Sequence, residues 1–363
     1  MARVELLRPT LDASGLAALG AEWRALEARA APGTVFRSWT WVGCRAGERF
    51  PRPVLLRATA EGRTVGLALF NARRRRGWPA LWLGESGDPQ LDRVFVEHNG
   101  VLAEPGWADA LPRWLRTAMR APLAGSRAPL PARRTLVLGG VDDQHLAAAR
   151  AAGVVRVTAT RPAPYVDLGQ LGPAADGYLD TLSRNTRQQL RRSDRLYGPV
   201  QVTRAAAGEA GDFLQALLAL HARSWAASGR ESSLARPEVA RFLHDLVAAG
   251  LPRGEVDLLR VAAGSRAVGY LLNLRRGSWV GQYQGGFDYE GAGPQHKPGL
   301  TCHHAAIRFY AAQGAAEYDF LAGEDRYKRS LAGDARAMHW AEMAPPLSIR
   351  GVAIKFRGNF VAR

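Results

Sequence analysis

The chain has 363 residues, 47% hydrophobic and 23% charged, enough to bury a sizeable core in two or three domains or one large one. Cys44 and Cys302 stand far apart without CxxC spacing, which argues against a disulfide framework and a cysteine zinc site, and no run of about 18 apolar residues marks a membrane-spanning helix. The N-terminus lacks the apolar stretch of a signal peptide, so a cytoplasmic location is expected, and the net charge of +16 with a pI near 10.8 calls for an anionic partner.

Taken in chain order, residues 4–7 form a strand and 16–28 a helix with Leu16, Leu19, Trp23 and Leu26 at helical spacing. A second helical piece spans 36–43. Residues 54–58 and 64–70 form a hairpin around Glu61-Gly62-Arg63. Strands are expected at 81–83 and 93–97, a helix at 107–119, a strand at 135–138, a helix at 144–152 stopped by Gly153, and a strand at 154–160. Arg161-Pro-Ala-Pro164 has the composition of a linker, and 178–197 a helical pattern. The order then repeats: strand 200–204, helices 210–227 and 237–249, a hairpin of 256–262 and 267–274, strand 279–283, helix 301–313 and strand 317–321. The segment from Pro345 on is a basic, loosely docked tail. A repeated order of this kind implies a duplicated α/β unit. Val65-Gly66-Leu67-Ala68 and Val268-Gly269-Tyr270-Leu271 occupy the same place in the two hairpins, where glycine suits a close approach of another element.

The densest chemistry lies in Tyr318-Asp-Phe-Leu-Ala-Gly-Glu-Asp-Arg-Tyr-Lys328 and in Gln295-His-Lys-Pro-Gly299 before it. Of 49 Lys+Arg residues, lysine occurs only at 297, 328 and 355, so two of three lysines fall here. An ammonium is compact and shifts its pKa on burial, which guanidinium does not.

Leu182-Ser-Arg-Asn-Thr-Arg-Gln-Gln-Leu190, Tyr283-Gln-Gly-Gly-Phe-Asp288, Pro298-Gly-Leu300 and the 318–328 segment resemble motifs of a bacterial CelD/BcsL-like acyltransferase family. That family belongs to the GCN5-related N-acetyltransferase (GNAT) superfamily and is related to the Fem peptidyltransferases. Phe36-Arg-Ser-Trp-Thr-Trp41 and Glu97-His-Asn-Gly100 look like its N-terminal counterparts. The resemblance implies an α/β fold of tandem GNAT-like domains, each a mixed twisted sheet flanked by helices. The expected boundaries are 1–165, a catalytic 166–345 and a tail 346–363. It implies acyl transfer to an amine on a small molecule, peptide or saccharide. The donor would be acyl-CoA, acetyl or longer, or an acyl carrier protein, with no metal. One departure stands out. The Gln/Arg-x-x-Gly-x-Gly/Ala signature that grips the CoA pyrophosphate is missing from 288–299, which leaves the donor open.

Acyl transfer to an amine needs a proton acceptor, a stabilised oxyanion and a protonated leaving group. Glu324 and Asp319 are candidates for the first, Asp319 having structural pairing with an arginine as its other reading. His296 is a further candidate base. The resemblance puts Lys328 near the transferred acyl group, where an ammonium would stabilise the oxyanion, and Tyr327 or Tyr283 is a candidate acid, each having a core role as its other reading. Lys297, Gly299 and Leu300 open a helix whose N-terminus suits a phosphate. His303, His304 and Cys302 beside them are weaker candidates. Arg184, Arg187, Gln188, Arg191 and Arg195 share one helix face, which either binds an anionic acceptor or donor or is simply solvated. Trp39, Trp41 and Glu97 line a groove or, for the tryptophans, belong to the core. Two other functions fit this residue set: a Fem-like transferase using aminoacyl-tRNA, and a non-catalytic binding module.

Overall fold

The computed structural model describes residues 1–30, 33–124, 131 and 133–358. The chain runs β1 (Arg3–Leu7), α1 (Ala13–Glu27), α2 (Trp39–Val42), α3 (Ala46–Arg49), β2 (Pro53–Ala60), β3 (Arg63–Ala72), β4 (Ala80–Leu83), β5 (Leu102–Ala103), α4 (Leu111–Arg120), β6 (Leu123–Ala124), β7 (Thr135–Val141), α5 (Asp143–Ala152) and β8 (Val154–Asp167). It continues through α6 (Leu168–Leu171), α7 (Tyr178–Thr181), α8 (Arg184–Tyr197), β9 (Val200–Arg204), α9 (Ala210–Ala227), α10 (Pro237–Gly250), β10 (Val256–Ala263), β11 (Arg266–Arg276), β12 (Trp279–Phe287), α11 (Pro298–Ala311), β13 (Glu317–Asp319), α12 (Arg326–Leu331), β14 (Asp334–Ala344) and α13 (Ile349–Gly358).

Two compact units result, as the fold class requires. One is Met1–Arg161 together with the chain from Ala337 on; the other is Pro162–Arg336. In the first, β1, β2, β3 and β4 pair antiparallel in succession, β4 pairs β7 in parallel, and β7 pairs β14 antiparallel. In the second, β9, β10, β11 and β12 pair antiparallel, β12 pairs β13 in parallel, and β13 pairs the end of β8 antiparallel. The same pairing scheme therefore occurs twice. The last strand of each half is exchanged: β8, which follows β7 in the chain, ends on β13, and β14 ends on β7. This is why residues from Ala337 on pack with the first unit rather than extending the second to residue 345.

The duplication extends to single residues. In the first hairpin Ala58 faces Gly66 and Thr59 faces Thr64, so Val65 is the extra residue of a bulge. In the second, Val261 faces Gly269 and Ala262 faces Ala267, which makes Val268 the extra residue. The glycine after each bulge admits the helix that crosses the sheet. A Cβ at Gly66 would lie 2.3 Å from the Trp114 ring of α4, and one at Gly269 would lie 3.0 Å from Cys302 Sγ of α11. Around these contacts each unit builds its own core. Trp114, Phe70 and Met119 anchor the first; Tyr310, Tyr318 and Phe320 anchor the second.

Four expected elements differ. Residues 93–97 form no strand, because the Asp92 carboxylate accepts from the backbone N–H groups of Ser86 and Gly87 and winds Leu91–Val94 into a 3-10 turn. The expected linker at 161–164 lies inside β8. Its prolines lack N–H groups, but their carbonyls accept from Gly323 (2.9 Å) and Phe320 (2.8 Å). The helix at 178–197 is broken at Ser183, whose hydroxyl caps α8 by accepting from Thr186 N. The tail is a helix, α13, held by a buried Arg350–Glu342 ion pair at 2.6 Å.

Replacing Gly66 by alanine forces a methyl against the rigid Trp114 indole and should cost about 1–3 kcal/mol by overpacking. Gly208, which has open space around its Cβ position, is the control. Urea unfolding should show a lower midpoint for Gly66→Ala and little change for Gly208→Ala.

Candidate active site

The parallel strand pair is where the two units part company. In the first unit β4 and β7 pair from Ala80 and Thr135 to Leu83 and Leu138. Asn99 then closes the sheet: its Nδ2 donates to the carbonyls of Leu83 (2.7 Å) and Gly139 (3.1 Å), and its backbone N–H donates to Gly140 O (2.9 Å). Glu85 lies against Gly139, where burial, followed by the charge of Asp92, pushes its carboxyl up to about 8.

In the second unit β12 and β13 pair only from Trp279 and Glu317 to Gly281 and Asp319. Beyond that point β12 stays on β11 as far as Phe287, while the other strand stays on β8, Phe320 N–H bonding Pro164 O and Gly323 N–H bonding Pro162 O. The two strands separate and leave a split. On the β12 side, Leu272 faces Gln284 and Asn273 faces Gln282, so Tyr283 is the extra residue of a second bulge. In the first unit the β3–β4 pairing ends at Phe70 and Leu83, before the equivalent place. A bulge re-aims side chains, and here it falls beside the opening.

His303 of α11 touches both sides of the split. Its ring lies 5.5 Å from Phe287 at the end of β12, 5.3 Å from Phe320 after β13, and stacks on Tyr327 at 5.5 Å and 14°. Its Nδ1 is 3.3 Å from Tyr318 Oη. Burial, reinforced by the nearby Lys328 ammonium, pushes the imidazole down to about 3, so the ring is neutral near pH 7. Burial likewise pushes the Cys302 thiol well above its usual range, which removes it as a thiolate nucleophile at neutral pH.

Lys328 sits on α12. Its Nζ donates to the carbonyls of Ala322 (3.0 Å) and Leu321 (3.3 Å). It packs so closely under Gly323, whose φ is +153°, that a Cβ there would lie 3.1 Å from Nζ. Asp319 is fully buried and braces the same turn. Its Oδ1 accepts from Leu321 N at 2.7 Å, where Leu321 has a φ of +62°, and its Oδ2 accepts from Trp279 Nε1 at 3.4 Å. Between these two braces Glu324 is exposed.

The first turn of α11 is fixed by α8. Lys297 N donates to Ser193 Oγ (2.9 Å), and Thr301 Oγ1 donates to Asp194 Oδ1 (2.8 Å). With the threonine proton so engaged, the 2.9 Å contact between Ser193 and Thr301 runs from the serine. Asp194 Oδ2 also meets His304 Nδ1 at 2.8 Å. Among the described residues no side chain caps this helix, so its first-turn N–H groups at Gly299 and Leu300 are available to another acceptor. The Lys297 side chain is exposed beside them, and a Cβ at Gly299 would lie 3.1 Å from Tyr289 Oη. His296 lies in the preceding loop with its ring edge-on to Tyr197 at 4.6 Å, and its Nδ1 is buried without a partner among the described residues.

The structure thus gathers Asp319, Glu324 and Lys328 around one turn, and Lys297, Gly299 and Leu300 at one helix end. Arg184, Gln188 and Arg191 are exposed on α8, and Arg187 is half-buried against Asp180 at 3.1 Å. The remaining expected residues belong to the first unit. Trp39 packs on Trp23 and fills the space left by Gly20 and Gly43, Trp41 packs edge-on to Phe36, and Glu97 is buried ahead of Asn99. Ser193, Asp194 and Thr301 escape a reading of the sequence. The one signal is a Ser-Asp pair in a helix otherwise dominated by arginine.

Residues 182–329 match the model of the acetyltransferase (GNAT) domain family, so the second unit is a GNAT-superfamily domain. No curated protein matches the chain in sequence. Among solved structures, FemX is similar over 93% of this chain and 96% of its own, with 12% identity and a TM-score of 0.60. A conserved protein of unknown function from Bacteroides thetaiotaomicron is similar over 94% and 100%, with 9% identity and a TM-score of 0.56. L-PGS from Bacillus licheniformis is similar over 98% of each chain, with 11% identity and a TM-score of 0.52. At these identities the likeness is one of fold.

The buried His303 makes a pH prediction. Its folded pKa lies below the unfolded value of 6.5, so below that pH the unfolded chain takes up a proton that the native ring refuses until about pH 3. Native stability should therefore fall as pH drops through this window. Thermal unfolding of His303→Leu should show a shallower loss between pH 6.5 and 4 than the parent chain; an unchanged slope would mean that the native ring is already protonated there.

Proposed function

We propose that the second unit transfers an acyl group from a phosphate-bearing thioester to an amine. The observation that carries this is the split between β12 and β13, beside a helix end without a side-chain cap, in the part of the chain that matches the GNAT acetyltransferase family. The thioester lies in the split with its phosphates toward Lys297 and the N–H groups of Gly299 and Leu300. The amine nitrogen attacks the carbonyl carbon, its proton passes to Glu324, and the thiolate leaves with a proton from Tyr283. Lys328 is a positioning residue in this scheme: by holding the carbonyls of Leu321 and Ala322 it sets the turn that carries Glu324. The exposed arginines of α8 give the donor or acceptor a basic flank.

A second reading has an aminoacyl donor carried by tRNA. It is favoured by the likeness in fold to FemX across nearly the whole of both chains. The two readings share the split and differ in what carries the acyl group. Native mass spectrometry of the full chain with acetyl-CoA, with a longer acyl-CoA and with aminoacyl-tRNA distinguishes them. The first reading predicts a stoichiometric acyl-CoA complex; binding of aminoacyl-tRNA alone would replace it with the second.

Thiol release from acyl-CoA in the presence of a panel of amines measures the chemistry. Glu324→Gln should lower kcat about 10²–10⁴-fold with the fold intact. Lys328→Arg keeps the charge, but a guanidinium does not fit beneath Gly323, so kcat should fall at least about tenfold while the donor KM stays close to its original value. Full turnover in Lys328→Arg would remove Lys328 from the site. Lys297→Glu should weaken donor binding at least about tenfold, which calorimetry reads directly.

A further inference from the structure

Three large aliphatic side chains at the C-terminal end of the first unit face solvent: Leu347 at 85% exposure, Ile349 at 75% and Val352 at 46%. They are neighbours by construction. Ile349, Val352 and Lys355 follow one another at three-residue spacing on the outer face of α13, and Leu347 lies in the turn that leads into it. On the inner face Arg350, Gly351 and Ile354 are buried. The orientation is fixed from several directions. Arg350 pairs with buried Glu342 at 2.6 Å, Ser348 Oγ donates to Pro345 O and accepts from Gly351 N, and a Cβ at Gly351 would lie 2.2 Å from Pro345 O. An apolar face held outward by a buried ion pair is not a frayed end.

A basic surface adjoins this face. Arg133, exposed, donates to Leu347 O at 3.3 Å. The next residue, Arg134, is buried and ties this segment to the C-terminal end of α4, its Nε donating to Ala118 O (2.7 Å) and its backbone N–H to Met119 O (3.1 Å). On α4, Arg113, Arg116 and Arg120 are exposed along an open groove that Thr117 and Ala121 complete. Asp109 is exposed just ahead of α4, at the end away from Arg133. Two cations thus adjoin the outward aliphatic groups directly, Arg133 at Leu347 O and Lys355 on the same helix face, and the segment carrying Arg133 leads through Arg134 to the exposed Arg113, Arg116 and Arg120 of α4.

We propose that this face docks on an anionic lipid bilayer. An interfacial site takes aliphatic side chains into the acyl boundary and brings arginine and lysine to the phosphate level, the two groups of residues found here. Among the described residues no helix is long and apolar enough to cross a membrane, so the contact is peripheral. Its strength combines buried apolar area with attraction to anionic headgroups, and the second part is screened by salt.

Co-sedimentation of the full chain with vesicles tests this. One set is phosphatidylcholine alone; the other is phosphatidylcholine with phosphatidylglycerol at about three to one. The chain should pellet with the anionic vesicles and remain mostly in solution with the neutral ones. The combined variant Leu347→Ser, Ile349→Ser, Val352→Ser should lower the partition coefficient at least tenfold, and so should Arg113→Glu, Arg116→Glu, Arg120→Glu; thermal unfolding of each confirms that the fold persists. A parent chain that ignores anionic vesicles, or a serine variant that binds them as the parent does, overturns the proposal. So does sedimentation velocity showing a dimer that the serine variant dissolves, since the face would then be covered by a second copy.

Discussion

The loss of one strand neighbour governs the second unit: β13 pairs β12 on one side and β8 on the other, and the first of these pairings ends at Asp319. After Asp319 the backbone loses β12 but stays on β8, where Phe320 N–H continues the register to Pro164 O and Gly323 N–H reaches Pro162 O. Buried backbone groups need partners, and on the β8 side these persist past Asp319. The prolines of β8 supply them, having carbonyls to offer and no N–H to satisfy. The remaining features depend on this divergence. Asp319 and Lys328 brace the turn that follows, Leu321 takes a left-handed conformation within it, and His303 occupies the space between the separated strands.

The first unit shows the same scaffold without the opening. Its hairpin, its bulge at Val65, its glycine at 66 and its parallel pair all have counterparts, yet Asn99 bonds both strands where the other unit separates them. β4 ends at Leu83, before the position that Tyr283 holds on β12. Two copies of one architecture thus differ where chemistry is proposed and agree where packing is the constraint. A buried Asn with two carbonyl partners is a structural closure, and its loss would leave both acceptors unsatisfied.

Much of the scaffold was legible in the sequence because it follows from local rules. The two hairpins, the crossing helices and the close approaches at Gly66 and Gly269 appear as turn residues, helical periodicity and small residues at matching places. The exchange of β8 and β14 was not legible, since pairing between strands about 150 residues apart (β8 and β13) or about 200 apart (β7 and β14) leaves no local trace. Two prolines disguised part of β8 as a linker, and Asp92 turned a strand-like stretch into a 3-10 turn through side-chain bonds that composition does not reveal. For the site, the segments singled out in the sequence, 295–300 and 318–328, lie at the start of α11 and around the turn after β13. The role of Lys328 as a brace depends on the path of residues 321–323, and the bulge at Tyr283 on the register of a neighbouring strand. His303 took on weight only when both sides of the split were seen to touch it.

The central claim is that the second unit, and not the first, holds the acyl donor in its parallel-strand split. A photoreactive acyl-CoA analogue with the reactive group on the acyl chain tests it most directly, with the labelled peptide identified by mass spectrometry and excess acyl-CoA as competitor. The account predicts competed labelling within 282–287, 298–303 or 320–328. Competed labelling within 84–100 or 135–141, the closed counterpart in the first unit, would contradict it.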